Sequence, residues 1–149
     1  VLDTSNTSPN ELRLKLGSIF SVANNRNIQI LVQSFSFSIG YPTGIDMIFD
    51  CRFLKNPNWV EDLKNLNGTD EAVKKYLDKD ESWAAFKKNL FQMISIVIPA
   101  FEREGKSYLS IGLGCTGGQH RSVFVAEQLY NYLLSKNCDV KILHTILQK

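Results

Sequence analysis

The residues from Cys115 to Ser122, Cys-Thr-Gly-Gly-Gln-His-Arg-Ser, gather a thiol, two hydroxyls, a carboxamide, an imidazole and a guanidinium around two glycines. Those groups suit the binding of an anion. Glycine accepts backbone angles that let successive N–H groups point into one concavity. A helix N-terminus leaves N–H donors unpaired and adds partial positive charge. Arg121 brings a full charge on a fork that matches paired phosphate oxygens, and His120 adds charge when protonated. Thr116, Gln119 and Ser122 add further donors. The chemistry expected of the stretch is phosphate binding at the head of a helix, with Gly117 and Gly118 shaping the loop. The plainer reading is a well-satisfied turn whose arginine pairs with an acidic neighbour.

A second polar cluster lies at Asp50, Arg52, Asn56 and Asn58. A carboxylate and a guanidinium two residues apart on a strand share a face. They either pair with each other at a sheet edge or complete the pocket opposite the glycine loop. In the second case Arg52 adds positive charge, while Asp50 and Asn56 take hydroxyl or amino groups. A phosphate needs donors only, so an acceptor beside it implies a ligand with donors of its own, such as a phosphosugar or amino-sugar phosphate. His120 is a candidate acid–base group or pH-sensitive contact, whereas His144 reads as structural. Trp59 and Trp83 read as packing residues, and Glu102-Arg103-Glu104 as a solvated charge run.

These side chains need elements to hold them. Ser107 to Ile111 is rich in β-formers, and Ala126, Leu129, Tyr130 and Leu133 recur at helical spacing. A strand, a glycine-rich turn over Gly112–Ser122 and a helix are expected there. Met47 to Arg52 reads as a short buried strand with charge arriving at its carboxyl end, where α/β proteins place ligands. Further back, Ser8-Pro9-Asn10-Glu11 is a capping box opening a helix over residues 9–22. A long strand is expected from Ile28 to Phe37, then a loop over Gly40–Gly44. A short helix follows Gly68, carrying Val73, Tyr76 and Leu77. Trp83 to Phe101 forms a long amphipathic helix whose last turn Pro99 should kink or fray. Val140 to His144 supplies a last strand. Helices alternating with β-rich runs predict an α/β fold with a single mixed sheet covered by helices.

The whole chain agrees. Its 149 residues are 44% hydrophobic and 21% charged, the balance of a globular domain with a proper core. The longest apolar stretch, Ile94 to Phe101, is too short to cross a bilayer. Seventeen basic and 15 acidic side chains give a net charge of +2, weaker than the usual footprint of a nucleic-acid binder. Cys51, Cys115 and Cys138 show no paired metal spacing, so no metal is expected and a reducing cytoplasm is the natural setting.

Two resemblances follow. Cys115 to Ser122 fits the C-x-x-G-x-x-R-S pattern of cysteine-dependent phosphatases, in which a helix N-terminus and an arginine activate the thiol. Gly114 stands where that family usually has histidine, and no aspartate is placed by sequence as the general acid. The second resemblance is longer. Ser34-Phe35-Ser36-Phe37 with Gly40-Tyr41-Pro42, Phe49-Asp50-Cys51-Arg52-Phe53-Leu54-Lys55-Asn56-Pro57-Asn58-Trp59, and Leu66-Asn67-Gly68-Thr69-Asp70 join the central Gly-Cys-Thr-Gly-Gly and His-Arg-Ser. Together they resemble the C-terminal domain of the RapZ/YvcJ family of nucleotide-binding RNase adapters.

That resemblance implies a division of the chain. Residues 1–22 would close a preceding kinase-like domain and link it to a ligand-sensing domain over 23–149. The family's ATP- and GTP-binding P-loop belongs to the preceding domain, and no G-x-x-x-x-G-K-[ST] occurs here. The chain is therefore expected to be no enzyme and to need no cofactor. The resemblance also implies likeness to a sugar-phosphate-binding subdomain of phosphofructokinase. It implies sensing of glucosamine-6-phosphate or a related nucleotide sugar, and binding of small regulatory RNA presented to a ribonuclease. A homo-oligomer is compatible with it, and no membrane partner is implied. Asp50, Arg52, Asn56, Cys115, Thr116, Gly117, Gly118, His120 and Arg121 would carry the metabolite site, with Asn58, Gln119 and Ser122 beside them. Asn58 stands where sensing members often have histidine, and the terminal stretch Asp139–Lys149 holds few positive charges.

Overall fold

A computed structural model describes residues 27–147; the helix expected over 9–22 and the division after residue 22 lie outside the described residues. Four strands, β1 (Gln29–Ser36), β2 (Met47–Asp50), β3 (Tyr108–Cys115) and β4 (Asp139–His144), form one sheet in the order β2-β3-β1-β4. Three helices accompany them: α1 (Glu71–Asp78), α2 (Trp83–Arg103) and α3 (Arg121–Ser135). The α/β class holds, and all three strand pairings are parallel where the sequence predicts a mixed sheet. The reason lies in the connections. No two consecutive strands are neighbours joined by a hairpin, and each step returns the chain to the same end of the sheet before the next strand begins.

One sheet face is apolar. Ile28, Ile30 and Val32 of the β1 run, Leu109, Ile111 and Leu113 of β3, and Val140 of β4 join a single core with Trp83, Leu90, Ile94 and Ile98 of α2 and Phe124, Val125, Leu129 and Leu133 of α3. Alternate strand residues share a face, so both long helices cover the same one. The steps from β2 to β3 and from β3 to β4 run the same way across the sheet, and crossovers of one hand then put both helices on one side. On the opposite face Gln33 Nε2 donates to Ser110 Oγ at 2.9 Å, and the rings of Phe35 and Phe37 pack edge-on.

That second face corrects the expected turn. Gly112 and Gly114 are strand residues of β3, not part of a loop. A Cβ on Gly114 would lie 2.5 Å from Phe37 and 2.6 Å from Phe35, and one on Gly112 2.7 Å from Ile45. These glycines make room for aromatic and aliphatic side chains rather than supply unusual backbone angles. Likewise α2 continues past Pro99 to Arg103. Because the sheet is parallel, Ser36, Asp50, Cys115 and His144 all end their strands along one edge, and the loops that follow them are neighbours.

Candidate functional site

The loop between β3 and α3 spans residues 116–120. Its first residue is fixed by β1: Phe37 N donates to Cys115 O at 2.9 Å, and Ser36 Oγ donates to Thr116 O at 2.6 Å. Gly118 takes φ of +72°, and a Cβ there would meet Ile146 Cγ1 at 2.6 Å and Ser36 N at 3.0 Å, so both backbone angle and space require glycine. Gly117 has nothing within 4 Å of its Cβ position and opens to solvent. Among the described residues, no backbone N–H from Gly117 to Val123 finds an acceptor in the protein, while Phe124 N donates to His120 O at 2.9 Å. Unpaired donors at a helix start form an anion cradle.

A hollow of about 180 Å³ lies over this loop, lined by Asn56, Asn58, Cys115, Thr116, Gly117, Gln119, His120 and Arg121. Eight of the twelve residues expected at the site meet there. Arg121 is buried, and Nη1 donates to the carbonyls of Arg52 at 2.8 Å and Leu54 at 3.2 Å. Nη2 lies 3.5 Å from Thr116 Oγ1, a contact too long to hold it. One guanidinium nitrogen thus pins the segment after β2, while the other has no close partner among the described residues. Asn56 caps the 3-10 turn Pro57–Trp59, its Oδ1 accepting from Asn58 N at 3.1 Å, and among the described residues its amide NH₂ has no acceptor.

The remaining four fall outside the lining. Asp50 and Arg52 pair with each other: Arg52 Nε lies 2.9 and 3.0 Å from the two carboxylate oxygens and Nη2 2.6 Å from Oδ2, with both side chains about half exposed. The bond to Arg52 holds the Asp50 carboxyl below its ordinary pKa. The guanidinium also sits 4.2 Å above the Phe37 ring. Gly118 packs under the loop as described, and Ser122, fully buried, accepts a hydrogen bond from Cys115 Sγ at 3.1 Å.

His120 is not a charged donor. Burial pushes its pKa down, against the opposing effect of nearby carbonyls, and Nε2 lies 3.0 Å from Leu63 O. A neutral imidazole donating to that carbonyl, with Gln119 Nε2 donating to Leu66 O at 2.6 Å, ties the loop to the segment before α1. His144 is structural as expected, its ring bridging Ser34 Oγ and Glu127 Oε1 at 2.7 Å each. Trp83 is buried in the core, but Trp59 does not pack: it is 85% exposed at the end of the 3-10 turn. Among the described residues no group of three or more His, Cys, Asp or Glu could hold a metal ion, and no helix is long and apolar enough to cross a membrane.

Several supporting residues carry little sequence signal. Asp80, buried, accepts from Lys55 N at 2.7 Å and from Ser82 N at 2.8 Å, and so anchors the wall that carries Asn56. The Asp80-Glu81-Ser82 run just before α2 reads locally as a helix start; its grip on Lys55 is a tertiary fact. Gly68 N donates to Gln119 O at 2.9 Å, and a Cβ on Gly68 would lie 2.4 Å from His120 O.

A nucleotide-binding protein of Cereibacter sphaeroides is 46% identical over 149 residues, all of this chain and 49% of the relative. One from Dinoroseobacter shibae is 44% identical over the same span, covering 50% of that protein. One from Caldicellulosiruptor saccharolyticus is 41% identical over 150 residues, covering 51%. The chain spans about half the length of the curated relatives it matches. The family model described as the RapZ C-terminal domain matches residues 28–148, which take in every strand and helix among the described residues and the loop over the hollow, and the chain belongs to that family.

Proposed function

We propose that this is a regulatory, non-catalytic domain that senses a phosphorylated sugar, with the phosphate on the 117–121 cradle and the sugar against Asn56 and Asn58. An amino-sugar phosphate such as glucosamine-6-phosphate, or a related nucleotide sugar, is the ligand class that family membership favours. One observation supports the reading: the N–H groups of Gly117 to Val123 have no acceptor among the described residues, at the rim of a hollow that Arg121 also lines. Charge-assisted hydrogen bonds contribute about 1.5–3 kcal/mol each. Association costs about 4–15 kcal/mol, so a handful of such contacts suits a sensor that releases its ligand as concentrations fall. Calorimetric titration of glucosamine-6-phosphate into the wild type and Arg121→Ala tests this. Saturable heat in the first and none in the second is expected; equal heats would remove the loop from the site.

In RapZ-like proteins such a domain also presents small RNA to a ribonuclease in the cytoplasm. The corresponding expectation is RNA affinity that falls steeply between low and high salt, and flat affinity would dismiss it. A second reading is favoured by the Cys115–Ser122 bond on the hollow's floor, the arrangement a thiol phosphatase would need. It predicts hydrolysis of an aryl phosphate that Cys115→Ser abolishes, and no turnover by the wild type would dispose of it.

A further inference from the structure

Cys51 directly follows β2 and Cys115 ends β3. The register pairs Asp50 with Gly114, so the next residues on the two parallel strands are Cys51 and Cys115, and Cys51 N donates to Gly114 O at 2.7 Å. Their side chains share the helix-covered face with Phe49 and Leu113, because faces alternate along each strand. Neighbouring parallel strands lie about 4.7–4.9 Å apart. That spacing falls inside the range of about 4.4–6.8 Å that Cα atoms of a disulfide span. Access differs between the two. Cys115 lines the hollow, whereas Cys51 has no exposure at all. Cys115 is itself only 2% exposed, so an oxidant small enough to enter the hollow meets one thiol at its wall, while the other can react only with a neighbour inside the protein.

We infer that Cys115 is an oxidation site for small hydroperoxides and that Cys51 resolves it, the resulting disulfide closing the phosphate cradle. The inference rests on the ligand reading for its regulatory part only. In the first step the Cys115 thiolate attacks a peroxide oxygen. The O–O bond breaks, sulfur is oxidised to a sulfenic acid, and the reduced fragment takes up a proton and leaves as water or an alcohol. The Cys51 sulfur then attacks the Cys115 sulfur. The S–S bond forms, and the expelled hydroxide leaves as water with the proton from Cys51.

Two consequences follow for the site. Cys115 Sγ gives up its bond to Ser122, the second residue of α3, and turns toward β2. The residue at the head of the loop is then tethered to the one that precedes Arg52, whose carbonyl Arg121 holds. Cradle and wall are then fixed to each other at the foot of the hollow. Burial holds the Cys51 pKa well above its ordinary value, so closure is slow and reversal by a dithiol is the expected route back.

The experiment uses the whole chain with Cys138→Ala, so that its third thiol does not report. Hydrogen peroxide is added, and peptides are mapped by mass with and without dithiothreitol. Glucosamine-6-phosphate binding is titrated before and after. A peptide linking Cys51 to Cys115, at least tenfold weaker binding, and recovery of both on reduction are expected. Cys51→Val keeps an apolar side chain in the strand. It should give no linked peptide and a loss of binding that reduction does not restore, as the unresolved sulfenic acid passes to sulfinic acid. Peroxide treatment that leaves both thiols free, or oxidises them without linking them, overturns the inference. If the linked peptide forms but the reduced protein binds no sugar phosphate, the ligand reading fails and the regulatory consequence with it.

Discussion

At the residue scale the site turns on Arg121. Its sequence position suggests a phosphate ligand; what the structure shows is a bracing role, because Nη1 holds the carbonyls of Arg52 and Leu54. Local sequence could not disclose this, since those acceptors are backbone groups 69 and 67 positions away. Arg121→Lys should therefore lose more than a conservative exchange suggests. A lysine keeps the charge but cannot hold two carbonyls and reach the ligand together. Thermal or urea unfolding should show a loss of about 1–3 kcal/mol for the unsatisfied carbonyls, and sugar-phosphate affinity should fall at least tenfold. His120 was legible as a loop donor but not as a neutral one. Its pKa is lowered in the fold, so the unfolded chain binds the proton more readily. Its contribution to stability is full above the unfolded value of about 6.5 and is lost as pH falls toward the lower folded value. Denaturation midpoints measured from pH 7.5 to 5 should decline through that window, and His120→Asn should flatten the decline.

At the scale of elements, the strand–loop–helix unit was readable because periodicity and glycines are local signals. Its internal boundary was not. Gly112 and Gly114 looked like turn residues until Phe35, Phe37 and Ile45 appeared over them. The parallel run of all four strands was equally hidden, since strand direction depends on where crossovers return the chain. Gly68 illustrates the same gap. It donates to Gln119 O, and a Cβ would approach His120 O at 2.4 Å and Phe124 N at 2.5 Å, both backbone atoms of the loop and helix start. Gly68→Ala should destabilise by about 1–3 kcal/mol through overpacking. It should weaken ligand binding although residue 68 lines no part of the hollow, and unfolding and calorimetry on one sample would show both effects. A variant with unchanged melting and unchanged binding would mean that this contact does not brace the loop.

At the scale of the whole molecule, strand order sets the gradient of stability. β1 and β3 are flanked on both sides and carry the most deeply buried side chains, while β2 is a four-residue edge strand with Ile48 exposed. Amide hydrogen exchange should be slowest in β1 and β3 and fastest in β2 and the segment that follows it. Asp50, Arg52 and the wall with Asn56 all hang from that edge. Bound sugar phosphate should slow exchange there more than in β4, and equal protection of both edges would place the ligand elsewhere. The α/β class and the gathering of eight predicted residues at one hollow were legible from composition and motif. The outward pairing of Asp50 with Arg52 was one of two readings left open by spacing alone, and only the shared sheet edge decided it.

Trp59 stands 85% in solvent beside the hollow's wall, while Trp83 is 2% exposed in the core. The chain holds only these two indoles, so its ultraviolet emission divides into a long-wavelength part from the rim and a short-wavelength part from the interior. Iodide should dim the first and spare the second. The protein thus carries its own optical gauge: if the proposed ligand sits by Asn58 it should change one colour, and loss of the fold should change the other.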